Sequence, residues 1–172
     1  MNREMQDMLQ TIDIEATLAY MVDELKPLLA LNPIMIGVHT GGVWVATRLH
    51  RALGLTEMLG TLDISFYRDD FTRVGVNPQV KTSNLPVNLE DRHVILVDDV
   101  LHTGRTVRAA LNEIFDYGRP ASVSLAVLIC RDGRELPIAA QVIGHTLKLE
   151  KGEHIKLVGP DPLTLTLQQV AD

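Results

Sequence analysis

Continuous apolar runs alternate with runs of helical spacing along this chain. Residues 13 to 30 place Ile14, Leu18, Met21, Val22, Leu25, Leu28 and Leu29 at helical spacing, with Asp13 as N-cap and Pro27 as a kink. The short apolar run Ile34 to Val38 reads as a buried strand. It leads through His39-Thr40-Gly41-Gly42 into a helix from Val43 to Leu53, closed by Gly54. Leu59 to Phe66 alternates around Leu62, Ile64 and Phe66, as a strand does. A second continuous run, Val94-Ile95-Leu96-Val97, stops at Asp98 and Asp99; a turn, Thr103-Gly104-Arg105-Thr106, then opens a helix carrying Val107, Leu111, Ile114 and Phe115 and stopped by Gly118. Ser122 to Ile129 is another buried strand, and Ile138 to Ile143 and Ile155 to Val158 are short ones. Strand, helix and strand in succession predict an α/β fold, a twisted, mainly parallel sheet flanked by helices.

The stretch from His93 to Leu111 carries the chemistry. Val, Ile and Leu bury on both faces of a sheet, so Asp98 and Asp99 are held at its C-terminal edge, where open α/β sheets place ligands. The helix that starts near Gly104 presents unpaired N–H groups and a partial positive charge, and Thr103 and Thr106 add hydroxyls. That end suits a phosphate monoester. Two carboxylates repel a phosphate but accept hydrogen bonds from vicinal sugar hydroxyls, or act through a bound Mg²⁺. Together they fit a ribose 5-phosphate. A P-loop needs GxxxxGK[ST] and a dinucleotide fold needs GxGxxG; neither occurs. An acid pair alone reads more readily as solvated or as a helix cap, and the added TGRT turn reverses that preference.

Composition narrows the classes. A chain of 172 residues with 46% hydrophobic residues predicts one domain, 1 to 172, with ample core. A net charge of -6 disfavours a surface coated for non-specific nucleic-acid binding, although a local basic face remains open. One cysteine, Cys130, excludes an internal disulfide and a thiolate cluster, and it ends an apolar strand as a small core residue. With no basic segment followed by an apolar run at the N-terminus, the expected location is the reduced cytoplasm, away from membrane. His50, His93, His145 and His154 show no ligand spacing.

The segment VILVDDVLHTGRT, residues 94 to 106, resembles the phosphoribosyl pyrophosphate (PRPP) signature of type I phosphoribosyltransferases. YRDD at Tyr67 to Asp70, RTVRAAL at Arg105 to Leu111, GRP at Gly118 to Pro120, LAVLI at Leu125 to Ile129 and RELPI at Arg134 to Ile138 extend the likeness to the PyrR family, pyrimidine-operon regulators with uracil phosphoribosyltransferase activity. The resemblance covers roughly residues 12 to 160. It implies a type I phosphoribosyltransferase fold with a small hood, to which the alternating Leu163, Leu165 and Leu167 would belong unless they form a subunit contact, and a flexible loop.

The resemblance also assigns roles. Val94, Ile95, Leu96, Val97, Asp98, Asp99, Val100, Leu101, His102, Thr103, Gly104, Arg105 and Thr106 are expected to bind PRPP or nucleotide. Asp98 and Asp99 would hold the ribose hydroxyls, take part in catalysis and bind Mg²⁺. Thr40, Gly41 and Gly42 correspond to the pyrophosphate loop, usually T-R-G; Gly41 leaves the backbone donors but no charge, which then falls to Arg48 or to a base of the later loop. The polar stretch from Asp69 to Leu89 is long for a connection and reads as a lid, where Arg73 or Lys81 could neutralise departing pyrophosphate. Arg73 is accordingly expected to be catalytic. The family counterpart of Cys130 to Pro137 is D-R-G-H-R-E-L-P; here Cys130 replaces the acid, Asp132 the glycine and Gly133 the histidine, while Arg131 and Arg134 remain. Arg131, Arg134 and Ile138 are the expected base contacts. The implied partners are PRPP, uracil, UMP or UTP and pyr leader mRNA, with a homodimer or larger homo-oligomer. A nucleotide sensor with little catalysis, or a phosphoribosyltransferase for another base, stays open.

Overall fold

The computed structural model of the chain describes residues 2–65, 83–85 and 88–170. Tyr67 to Asp70, Arg73 and Lys81, and with them most of the expected lid, lie outside the described residues.

Two helices open the chain, α1 (Arg3–Thr11) and α2 (Ile14–Leu25), each capped by a side chain: Asn2 Oδ1 accepts from Met5 N at 3.3 Å and Asp13 Oδ1 from Ala16 N at 3.0 Å. The pattern above contains no α1; its one buried residue is Leu9. Residues expected to continue α2 form a separate 3₁₀ segment, Lys26–Leu31, because Pro27 lacks the amide that the α-helical ladder requires. Next come β1 (Ile34–Val38), α3 (Gly41–Leu53), β2 (Gly60–Leu62), β3 (His93–Leu101), α4 (Arg105–Tyr117), β4 (Ser122–Arg131), β5 (Val142–Leu147), β6 (Glu153–Val158) and β7 (Thr164–Gln169). Gly54 closes α3 at φ 62°, its N–H bonded to the Arg51 and His50 carbonyls.

Five strands form an all-parallel sheet in the order β2-β1-β3-β4-β5. The central strands β1, β3 and β4 bury both faces, as strands inside parallel sheets do, while the edge strands β2 and β5 are partly exposed. Met35, Ile95, Val97, Ala126 and Leu128 point to one side with α2 and α3, while Ile34, Ile36, Val94, Leu96 and Val127 point to the other with Val107, Ala110 and Ile114 of α4. Strands β6 and β7 pair antiparallel as a separate two-stranded hood, whose Ile155, Leu157, Leu163 and Leu167 join the first of these cores. Among the described residues no helix is long and apolar enough to cross a membrane.

Several strands differ from expectation, and the one expected from Leu59 to Phe66 is confined among the described residues to Gly60–Leu62. β3 runs past the acid pair to Leu101 because β4 extends beside it, pairing Asp98 with Val127 and Leu101 with Cys130. β5 begins at Val142, later than the expected Ile138, because Gln141 ties residue 125 by both its backbone N–H and its side-chain oxygen before the ladder starts.

Candidate active site

β1 and β3 are adjacent in the sheet, with Gly37 in register with Val97, so the turn after β1 and the acids of β3 emerge side by side. They touch closely. A Cβ on Gly41 would lie 2.2 Å from Asp99 Oδ2, and one on Gly42 would lie 2.8 Å from the Val97 carbonyl and 3.1 Å from Asp98 Oδ1. Only glycine fits this turn without moving the acids. The His39–Thr40 peptide is cis. Asp98 is 3% exposed and its Oδ1 accepts from Asp99 N at 2.9 Å; Asp99 Oδ1 accepts from Val100 N at 2.9 Å. These bonds leave Asp99 Oδ2 toward the turn.

The second turn starts α4. Gly104 adopts φ 93°, a conformation open to glycine, and a Cβ there would lie 3.1 Å from Ile138. Thr103 Oγ1 accepts from Arg105 N at 3.2 Å, while its carbonyl accepts from Glu135 N and Leu136 N at 3.0 and 3.1 Å. Arg105 Nε donates to Glu135 Oε2 at 2.8 Å. The RELPI segment therefore forms the back wall of this turn.

Between the sheet edge and the hood lies a cleft of about 770 Å³. Thr40, Gly41, Asp98, Asp99, Val100, His102, Thr106 and Arg131 line it, all of them expected from sequence. Arg134 and Ile138 do not line it. Arg134 donates from Nε to the Ile138 carbonyl at 2.9 Å, from Nη2 to Cys130 Sγ at 3.2 Å and from Nη1 to the His102 carbonyl. Arg131 faces the cleft and donates from Nη1 to the Glu153 carbonyl of the hood at 2.8 Å; its buried Nε has no partner among the described residues. Burial lowers the Arg131 pKa, against the carboxylates of Asp132 and Glu153, which raise it. Arg48 is ion-paired with Glu15 on α2.

The hood supplies residues the expectation lacked: His154, Lys156 and Gln168. The signal was present, since Glu153, Ile155 and Leu157 are buried while His154, Lys156 and Val158 are exposed, the alternation of a half-buried strand. The His154 ring stands edge-on to His102, centroids 6.4 Å apart. His102 also packs on Gly133, where a Cβ would be 2.9 Å from its Nε2. Burial, then Arg131 and His154, holds the His102 pKa below the ordinary imidazole value, against Glu135 and Asp132.

Two helix N-termini thus flank a carboxylate pair at one sheet edge. Amide-rich turns attract phosphate groups and the acids accept from hydroxyls. Among the described residues no three His, Cys, Asp or Glu groups are placed to hold a metal by themselves. Two hard carboxylates do fit Mg²⁺ whose remaining ligands come from substrate oxygens and water.

Residues 5–156 match the family described as phosphoribosyl transferase domain. The bifunctional protein PyrR of Nitrosococcus oceani is 64% identical over 141 residues, which cover 81% of this chain and 80% of its own length. The one of Pseudomonas paraeruginosa is 61% identical over 134 residues, covering 78% and 79%. In fold the chain is similar to a hypoxanthine-guanine phosphoribosyltransferase of Bacillus anthracis, with a TM-score of 0.61 at 21% identity, covering 79% of this chain and 82% of that one. With an acid pair set between two amide-rich turns, and with these relatives, the chain belongs to the PyrR family of phosphoribosyltransferases.

Proposed function

We propose that this protein transfers the phosphoribosyl group of PRPP to N1 of uracil, giving UMP and pyrophosphate, and that uridine nucleotides in the same cleft govern its binding to pyr leader mRNA. One observation carries the catalytic half: the turns at Thr40 to Gly42 and Thr103 to Thr106 open into one cleft on either side of Asp98 and Asp99. PRPP has the matching order of groups, a pyrophosphate at one end of the ribose and a phosphate at the other.

In this reading the α4 N-terminus holds the 5-phosphate and Asp98 and Asp99 hold the ribose 2- and 3-hydroxyls. Their negative charge offsets the positive charge that develops on the ring as the C1–O bond to pyrophosphate breaks. The turn at Thr40 to Gly42 receives the departing pyrophosphate on its amides. Mg²⁺ on Asp99 or Asp98 would neutralise PRPP oxygens when bound. Of the expected base contacts, Arg131 alone faces the cleft, so the acceptor lies on that side, beneath the hood.

The regulatory half is supported by the PyrR relatives, which are named bifunctional. The net charge of -6 requires any RNA face to be local.

The test is UMP formation from labelled uracil and PRPP with Mg²⁺, alongside Asp99→Asn and with hypoxanthine as competing acceptor. Wild type is expected to make UMP and the variant to lose roughly a hundredfold or more in kcat/KM, the scale of an electrostatic contact to the reacting centre. Preference for hypoxanthine would overturn the choice of base. Binding of UMP without turnover on any acceptor would leave a nucleotide sensor, and absence of salt-sensitive binding to pyr leader RNA would remove the regulatory half.

A further inference from the structure

Pyrophosphate is the most highly charged part of the substrate, and among the described residues, which do not include Arg73 or Lys81, its turn is short of positive charge. Gly41 has no side chain and cannot have one while Asp99 Oδ2 lies 2.2 Å from where its Cβ would be. Asp98 and Asp99 add two carboxylates beside it. Arg48 of the adjoining helix is ion-paired with Glu15.

The hood crosses the sheet edge in a direction that meets this need. Glu153, at the start of β6, is tied by its carbonyl to Arg131 at the end of β4. The next residue, His154, stands against His102 after β3. Beyond the strand's end, Gly159 closes on Trp44 in the first turn of α3, where a Cβ would come within 3.0 Å of the indole. β6 therefore passes over β4, then β3, then the turn after β1. Lys156 follows His154 by two residues, about 6.7 Å further along on the same face, so it is carried toward the Thr40–Gly41 turn. It is exposed to the cleft that Thr40 and Gly41 also line, and its ammonium is in no ion pair among the described residues.

We propose that Lys156 of the hood is a cation that binds the pyrophosphate group of PRPP and receives it as the leaving group. This rests on the phosphoribosyltransferase reading above and names a hood residue of its pyrophosphate subsite. An ammonium on a flexible stem suits the role, because it acts as a point charge that follows the phosphates as the bond to C1 lengthens. A hood-borne cation also links hood position to occupancy of the far end of the cleft.

The experiment is calorimetric titration of wild type, Lys156→Met and Lys156→Arg with three probes: pyrophosphate with Mg²⁺, PRPP with Mg²⁺, and UMP. UMP lacks the pyrophosphate and serves as the internal control for an intact cleft. Lys156→Met is expected to weaken pyrophosphate and PRPP roughly ten- to a hundredfold, the scale of one charge-assisted contact, with UMP within about twofold of wild type. Lys156→Arg should restore most of the loss. Unchanged pyrophosphate affinity in Lys156→Met overturns the assignment, and so does an equal loss for all three probes, which would make Lys156 a support of the hood. If wild type binds UMP but neither PRPP nor pyrophosphate, the transferase reading itself fails and this inference falls with it.

Discussion

At Gly41 the space for one methyl group decides the geometry of the acid pair. The sequence reads this position as a missing charge, yet the contact with Asp99 gives it a steric reason that needs the fold to be seen, since the two residues meet only through the β1–β3 register. Gly41→Ala must push the Asp99 carboxylate off its bond to Val100 N, and the expected result is a fall of about ten- to a hundredfold in kcat/KM for UMP formation with little change in thermal midpoint. Gly54→Ala is the contrast. At φ 62° with nothing within 4 Å of its Cβ, it should cost about 1–2 kcal/mol of stability, read by thermal melting, and leave turnover alone. Equal activity in the Gly41 variant would mean that Asp99 has another workable position. The acids and the TGRT turn, by contrast, are legible in sequence because their chemistry is contiguous. Arg134 is not: it reads as a base contact, and its partners at His102 and Ile138 are set by how a loop folds back.

Among the elements, the strands of the parallel sheet are legible because a strand buried on both faces leaves a continuous apolar run. Elements with thin apolar content are less so. α1 buries Leu9 alone, with Met5 and Ile12 packed beside it, and its cap, Asn2, stands at the very start of the chain. The loop from Asp132 to Ile138 has no regular element, yet it positions one: it donates to the Thr103 carbonyl, pairs with Arg105 and sends Arg134 under His102. Arg134→Met strands the His102 and Ile138 carbonyls, so stability should fall by about 1–3 kcal/mol in denaturant melts. The α4 turn loosens at the same time, and UMP affinity by titration should drop several-fold if, as proposed, the 5-phosphate meets that turn. A stability loss with unchanged UMP affinity would reduce Arg134 to a packing role.

On the scale of the whole molecule the question is whether the hood is a part or a partner of the sheet domain. Among the described residues its strands pair only with each other, which by topology alone suggests an independent piece. Burial argues the other way, since Ile155, Leu157, Leu163 and Leu167 share one apolar cluster with Leu9 of α1, Leu18 and Met21 of α2 and Val45 and Leu49 of α3. A two-stranded ribbon without such a floor is at best marginally stable in water. We therefore expect sheet and hood to unfold as one unit, consistent with a single domain over the chain. Trp44, the only tryptophan, packs against Gly159 at the junction of α3 and hood, so its fluorescence reports docking of the hood while far-ultraviolet circular dichroism reports the helices. The two melts should coincide. Leu157→Ala removes a side chain that is 2% exposed at the centre of the shared cluster and should cost about 2–5 kcal/mol. If the domain is single, that loss moves both melts together. A fluorescence transition that moves alone to lower temperature would mean that the hood detaches first, and that the cleft it closes over Asp98 and Asp99 opens without loss of the sheet.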